Sequence, residues 1–102
     1  MSHYIANLRD IEFCLFALLG REKVMGTDPY GEVDRDTAMG MLEEMKRLCE
    51  NDLAASFVEG DRVGAVLNKA TGDVTLPESF IKSYKAYVDG EWWRLDAPVD
   101  LG

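Results

Sequence analysis

Few residues in this chain have the type and spacing that chemistry needs. His3 is its single histidine. A serine or cysteine nucleophile worked through an imidazole would have to use that one ring, and it sits at the very start of the chain. Cys14 and Cys49 lie 35 positions apart, which is neither a zinc-ligand spacing nor a disulfide framework. With one histidine they cannot assemble a metal centre. Both fall on apolar helical stripes and are expected to be buried, inert thiols, which fits a reducing, cytoplasmic compartment. Carboxylates are plentiful, but Asp34, Asp36, Glu43, Glu44 and Glu50 mostly fall on the solvated side of a predicted helix. Acid–base pairs need burial or tight pairing to separate their pKa values. Gly60-Asp61-Arg62-Val63-Gly64 follows a helix rather than a strand and puts an acid where a phosphate would sit, so it reads as a helix stop and turn. No catalytic, cofactor-binding or metal-binding residue is expected.

Composition narrows the partners. The 102 residues carry a net charge of −8, with 47% apolar and 29% charged side chains. That balance belongs to a folded domain, or part of one. DNA, RNA and anionic membranes would be repelled. No apolar run approaches the roughly 18 residues of a membrane span, and Met1-Ser2-His3-Tyr4 lacks the basic start of a signal peptide.

The periodicity predicts a mainly α fold with three principal helices, over about 8–19, 35–59 and 77–89, and a short β-ribbon near 65–76. Asn7 caps the first helix with Asp10 three residues on, and Gly20 stops it. Leu8, Ile11, Leu15 and Leu18 form one stripe. Residues 21–33 form a loop rich in turn residues. The second helix starts near Asp34 or Asp36, buries Ala38, Met41, Leu42, Met45, Leu48 and Cys49, places Glu43 and Arg47 as an i, i+4 pair, weakens at Asn51-Asp52 and closes at Gly60. In the third, which opens with Pro77, Phe80, Ile81, Tyr84, Tyr87 and Val88 form the buried side, while Lys82, Ser83 and Lys85 face water. Residues 91–95 are expected to be extended or turn-like.

Two features stand above this background. Every residue from Phe13 to Leu19 is apolar, and a helix apolar all round must be covered all round. Burying two Phe and two Leu from it is worth about 6–10 kcal/mol, comparable with the whole stability of a small domain. The other is Trp92-Trp93, adjacent indoles that would point to opposite faces of an extended segment, one into a core and one towards a neighbour. Phe13, Phe16, Leu19, Trp92 and Trp93 are therefore the expected interface residues.

Several motifs carry a family resemblance. Ser2-His3-Tyr4, then Asn7-Leu8-Arg9-Asp10-Ile11-Glu12-Phe13 and Leu15-Phe16, resembles the N-terminal extension of a bacterial subset of acyl-CoA dehydrogenases. Asp36-Thr37-Ala38, residues 54–62 (Ala-Ala-Ser-Phe-Val-Glu-Gly-Asp-Arg), Val74-Thr75-Leu76-Pro77-Glu78-Ser79-Phe80 and residues 90–102 continue it in order along nearly the whole chain. Val63-Gly64-Ala65 and Asn51-Asp52 depart from the Asn-Pro-Pro and Gly-Pro common there. The resemblance implies residues 1–33 as an extension and 34–102 as the start of the N-terminal helical domain. It implies an enzyme of several hundred residues that removes two hydrogens across Cα and Cβ of an acyl-CoA. In that family a glutamate base takes the α proton and FAD accepts the β hydride. The glutamate and most flavin contacts belong to later domains, and no residue here matches them.

The leading expectation is a truncated or split N-terminal segment. It would be non-catalytic and bind no FAD alone. It would pack on the remaining dehydrogenase domains or another subunit, share in the acyl-pocket wall, and self-associate or stay partly molten when isolated. The alternative from a different class is a free-standing acidic helical protein-interaction module; a complete small enzyme is the third reading.

Overall fold

A computed structural model describes residues 3–101. Met1, Ser2 and Gly102, which carry the signal-peptide reading and part of the family resemblance, lie outside the described residues. The described chain is mainly helical with one antiparallel two-stranded ribbon. It divides into two units, one of residues 5–47 and one of residues 48–101 together with His3 and Tyr4.

In the first unit, α1 (Leu8–Glu12) starts as expected at Asn7. Its Oδ1 accepts the Asp10 amide at 3.3 Å and its Nδ2 donates to Asp10 Oδ2 at 2.9 Å. From Phe13 to Leu18 the backbone winds as a π-helix. Each turn then holds more residues than an α-turn, so a stripe spaced for 3.6 residues per turn drifts off one side. Leu8 and Leu15 are half-buried, while Ile11 and Leu18 are exposed, Leu18 at 68%. Gly20 ends the run at φ +58, a left-handed conformation that glycine adopts freely. The following loop is tied by the Gly26 amide, which donates to the Tyr30 and Val33 carbonyls, both at 3.0 Å. Of the two possible starts, α2 (Arg35–Leu48) uses Asp34, whose Oδ1 accepts the Thr37 amide at 2.7 Å. That bond, with help from the Thr37 hydroxyl, holds the Asp34 carboxyl below the usual carboxylate range. Arg47 pairs with Glu44 at 3.1 Å, one position later than the Glu43 expected.

The second unit begins where α2 ends. A π-turn (Cys49–Leu53) and a 3-10 turn (Ala54–Ser56) lead into α3 (Phe57–Arg62). The distortion falls on the weak helix formers Asn51 and Asp52, and it leaves carbonyls out of helical register. Serine hydroxyls take two of them: Ser56 Oγ donates to the Leu53 carbonyl at 2.9 Å and Ser83 Oγ to the Asp52 carbonyl at 2.7 Å. Gly60 does not close the helix. The run passes through it to Arg62, and Gly64, at φ +63, makes the reversal. Gly60 is instead where the Phe80 ring lies so close that an added methyl would overlap it. β1 (Val66–Leu67) pairs with β2 (Val74–Thr75), Val66 opposite Thr75 and Leu67 opposite Val74. The turn between them is closed by the Asn68 amide on the Asp73 carbonyl at 2.8 Å. α4 (Glu78–Asp89) follows Pro77, which acts as its N-cap residue.

Burial on α4 differs from the expected pattern. Ser83, assigned to water, is buried at 7%, while Ile81 and Tyr84, assigned to the core, are 56% and 70% exposed. The reason is close approach: α4 packs on residues 49–56 through small side chains and the Ser83 hydrogen bond, and the large apolar stripe is left outside. Of the two forms expected for residues 91–95, extended or turn-like, the chain takes the second. Trp92–Asp96 is a 3-10 helix entered through Glu91 at φ +56. The cysteines also differ from expectation: Cys14 is exposed and Cys49 half-buried.

Among the described residues the buried apolar side chains are Leu48 and Pro77. The chain exposes 8096 Å². A folded monomer of its 11.4 kDa would expose roughly 5,800 Å².

Two glycines give opposite forecasts. Gly40 sits inside α2 with open space around its Cα, so Gly40→Ala should raise stability by about 0.5–1 kcal/mol through helix propensity. Gly60→Ala should lower it, because the Phe80 ring must leave; thermal melts followed at 222 nm read both signs. The Asp34 cap gives a pH forecast. Its folded pKa lies below the unfolded value, so its contribution is present above pH ~3.9 and is lost as pH falls through the lowered value. The Thr37 amide resonance should follow that titration, and in Asp34→Asn, which keeps the acceptor, it should not.

Candidate functional site

In the second unit an apolar groove of about 580 Å³ runs along the distorted helix. Cys49, Leu53 and Phe57 recur every four residues and so fall on one side of the helical run; Phe80 of α4 closes the far edge by reaching over Gly60. His3 and Tyr4 complete the lining. His3, at the start of the chain, packs its ring against the Phe57 ring with centroids 4.3 Å apart and planes tilted by 35°. The polar groups here are few. Ser56 already spends its hydroxyl proton on the Leu53 carbonyl, and Asp61 is exposed at the rim. Burial, and then the charge of Glu50, push the Cys49 thiol up, which leaves less of the reactive thiolate at neutral pH. The groove can therefore hold apolar material and has no lysine or arginine in its lining.

The first unit carries a polar counterpart, a hollow of about 350 Å³ built around Arg35. Its Nη2 donates to Glu12 Oε1 at 2.7 Å, its Nη1 lies 3.6 Å from Glu22 Oε2, and the guanidinium carbon is 4.5 Å from the centroid of the Phe16 ring. The hydrogen bond to Glu12 raises the already high Arg35 pKa. Two carboxylates and a π-face saturate this cation.

The expected interface residues fall into two groups. Phe13 and Phe16 line the Arg35 hollow together; Phe13 is 61% exposed and Phe16 half-buried beneath the guanidinium. Leu19, 54% exposed, is outside that lining. Trp92 and Trp93 belong to the other unit. The Trp92 indole lies against Gly90 and is half-buried, while Trp93 is exposed with Arg94 at 5.3 Å from its ring centroid. The sequence carries no sign of Arg35, and it points to Gly60 as a helix stop and to Ser83 as a water-facing residue. Arg35 is 23 positions from Glu12, and no local pattern announces a pair at that distance; the Gly60–Phe80 contact has the same long range.

The thiols give a test of these surroundings. At pH 8 a thiol reagent should modify exposed Cys14 in a fast phase and Cys49 in a slow one, and Cys14→Ser should leave the slow phase alone.

No protein-family model matches the chain. Curated relatives do. The chain is 46% identical over 102 residues to the broad-specificity linear acyl-CoA dehydrogenase FadE5 of Mycobacterium tuberculosis, covering all of this chain and 17% of that protein. It is 35% identical over 99 residues to the 3-methylmercaptopropionyl-CoA dehydrogenase of Ruegeria pomeroyi, covering 97% of this chain and 16% of that protein. The chain thus spans about a sixth of the length of these relatives. Over its whole length it matches the N-terminal region, about 100 residues, of acyl-CoA dehydrogenases.

Proposed function

We propose that this chain is the non-catalytic N-terminal helical part of an FAD-dependent acyl-CoA dehydrogenase, acting in the cytoplasm in fatty-acid oxidation. Residues 1–33 form its extension and residues 34–102 the start of its helical domain. Its work is assembly: the apolar surfaces that its own residues leave open pack on the flavin-bearing remainder of the enzyme or on another subunit, and part of them contributes to the wall of the acyl pocket. Phe13, Phe16, Leu19, Trp92 and Trp93 take part in that packing.

The observation that carries this reading is the near-absence of a closed core among the described residues in a chain matched end to end by much longer enzymes. Nor do the residues present fit the flavin itself. Its pyrophosphate needs cations or a glycine-rich turn leading from a strand into a helix N-terminus. Here α4 opens with Pro77, which lacks an amide proton, and with the acid Glu78. Arg35, Arg94, Lys82 and Lys85 are committed to carboxylates within 4 Å. No step of the dehydrogenation is therefore assigned to this chain. Bound elsewhere, FAD supplies the hydride acceptor; the side chains here exclude water and hold apolar surface in place.

The test is a chimera in which this chain replaces the matching 102 residues of the mycobacterial relative. It should purify yellow and oxidise acyl-CoA, while the isolated chain leaves FAD emission unquenched. A colourless chimera, or an isolated chain that keeps stoichiometric FAD through gel filtration, would contradict the proposal.

A further inference from the structure

The N-terminal helical segment, residues 8–18, half-buries Leu8, Leu15 and Phe16 and leaves Phe13 and Leu18 exposed. Among the described residues its main backbone contact beyond its own turns is with the short Arg21–Lys23 turn. A side-chain bond from Arg35 to Glu12 ties it to α2. The same guanidinium approaches Glu22, on the other side of Gly20, and covers the Phe16 ring. Gly20 itself sits at φ +58 with no side chain to pack. One cation therefore spans both sides of a glycine pivot and also shields an aromatic ring from water.

We infer that Arg35 is a latch and residues 8–18 a detachable arm pivoting at Gly20. With the latch closed, Phe16 lies under Arg35 and the arm presents Phe13 and Leu18. With it open, Phe16 joins that apolar surface. The planar fork of arginine suits this task, because two carboxylates and a π-face are engaged by one group. A lysine ammonium would keep the charge and lose the fork and the stacking. This inference rests on the geometry of the first unit alone and stands apart from the proposed enzyme role.

Amide hydrogen exchange of the full chain, resolved by residue, tests it. In Arg35→Met, which keeps a long apolar stem over Phe16 but no charge, amides of residues 8–18 should exchange about threefold faster or more, with α2 and α4 unchanged. Arg35→Lys should fall between Met and wild type. Raising NaCl to about 1 M, where the screening length shrinks to ~3 Å, should speed the same amides in wild type and leave Arg35→Met unaffected. Unchanged protection of residues 8–18 in Arg35→Met would overturn the latch. So would equal acceleration in α2 and α4, which marks loss of the fold and not opening of an arm.

Discussion

Apolar side chains leave water only where other atoms cover them, and this constraint governs everything else in the chain. Nearly half its residues are apolar, yet Leu48 and Pro77 are the buried ones among those described. The shortfall is spread along the molecule. The π-wound end of the first helix exposes Phe13 and Leu18, the ribbon exposes Val66, Leu67 and Val74, and α4 turns Ile81 and Tyr84 outward. A two-stranded ribbon is marginal without a surface to lie on, and a helix apolar all round is a core element. Local structure is nonetheless well formed, because capping, turn closure and helix-to-helix hydrogen bonds need only neighbours that the chain supplies.

The division between what the sequence revealed and what it concealed follows the same line. Asn7, Gly20 and the start near Asp34 or Asp36 were legible as helix boundaries, since each acts through its own backbone and the next few residues. The ribbon was legible from its turn. The inner face of α4 was not. Its apolar stripe at 80, 81, 84, 87 and 88 looked like the core side, but α4 meets the preceding helix through Ser83, whose hydroxyl reaches a carbonyl freed by a π-turn thirty-one positions away. The same failure explains Gly60, read as a stop when it is a contact point for Phe80; at Trp92-Trp93 the sequence left extended and turn-like forms open, and a left-handed Glu91 starts a 3-10 turn. Arg35, which ties Glu12 and Glu22, lay equally beyond any local pattern. The apolar run at 13–19 was legible as apolar on every side, because that is a statement about composition rather than about a partner.

The chemical inventory points the same way as the packing. The apolar groove beside Phe57 has no lysine or arginine in its lining, and in the hollow lined by Arg9 and Arg35 the Arg35 guanidinium is held by two carboxylates. The groove brings His3 and Cys49 into one lining, but burial and the charge of Glu50 push that thiol up. The two acyl-CoA dehydrogenases that the chain matches are each about six times its length.

The central claim is that the open apolar sides belong against polypeptide other than these residues. Light scattering of the isolated chain across a concentration series, read together with its near-ultraviolet dichroism, tests it most directly. The account gives either a mass that rises with concentration, or a monomer whose two tryptophans show weak, unstructured bands. A monomer at every concentration with sharp tryptophan bands would contradict it, since that chain would have found its cover within itself.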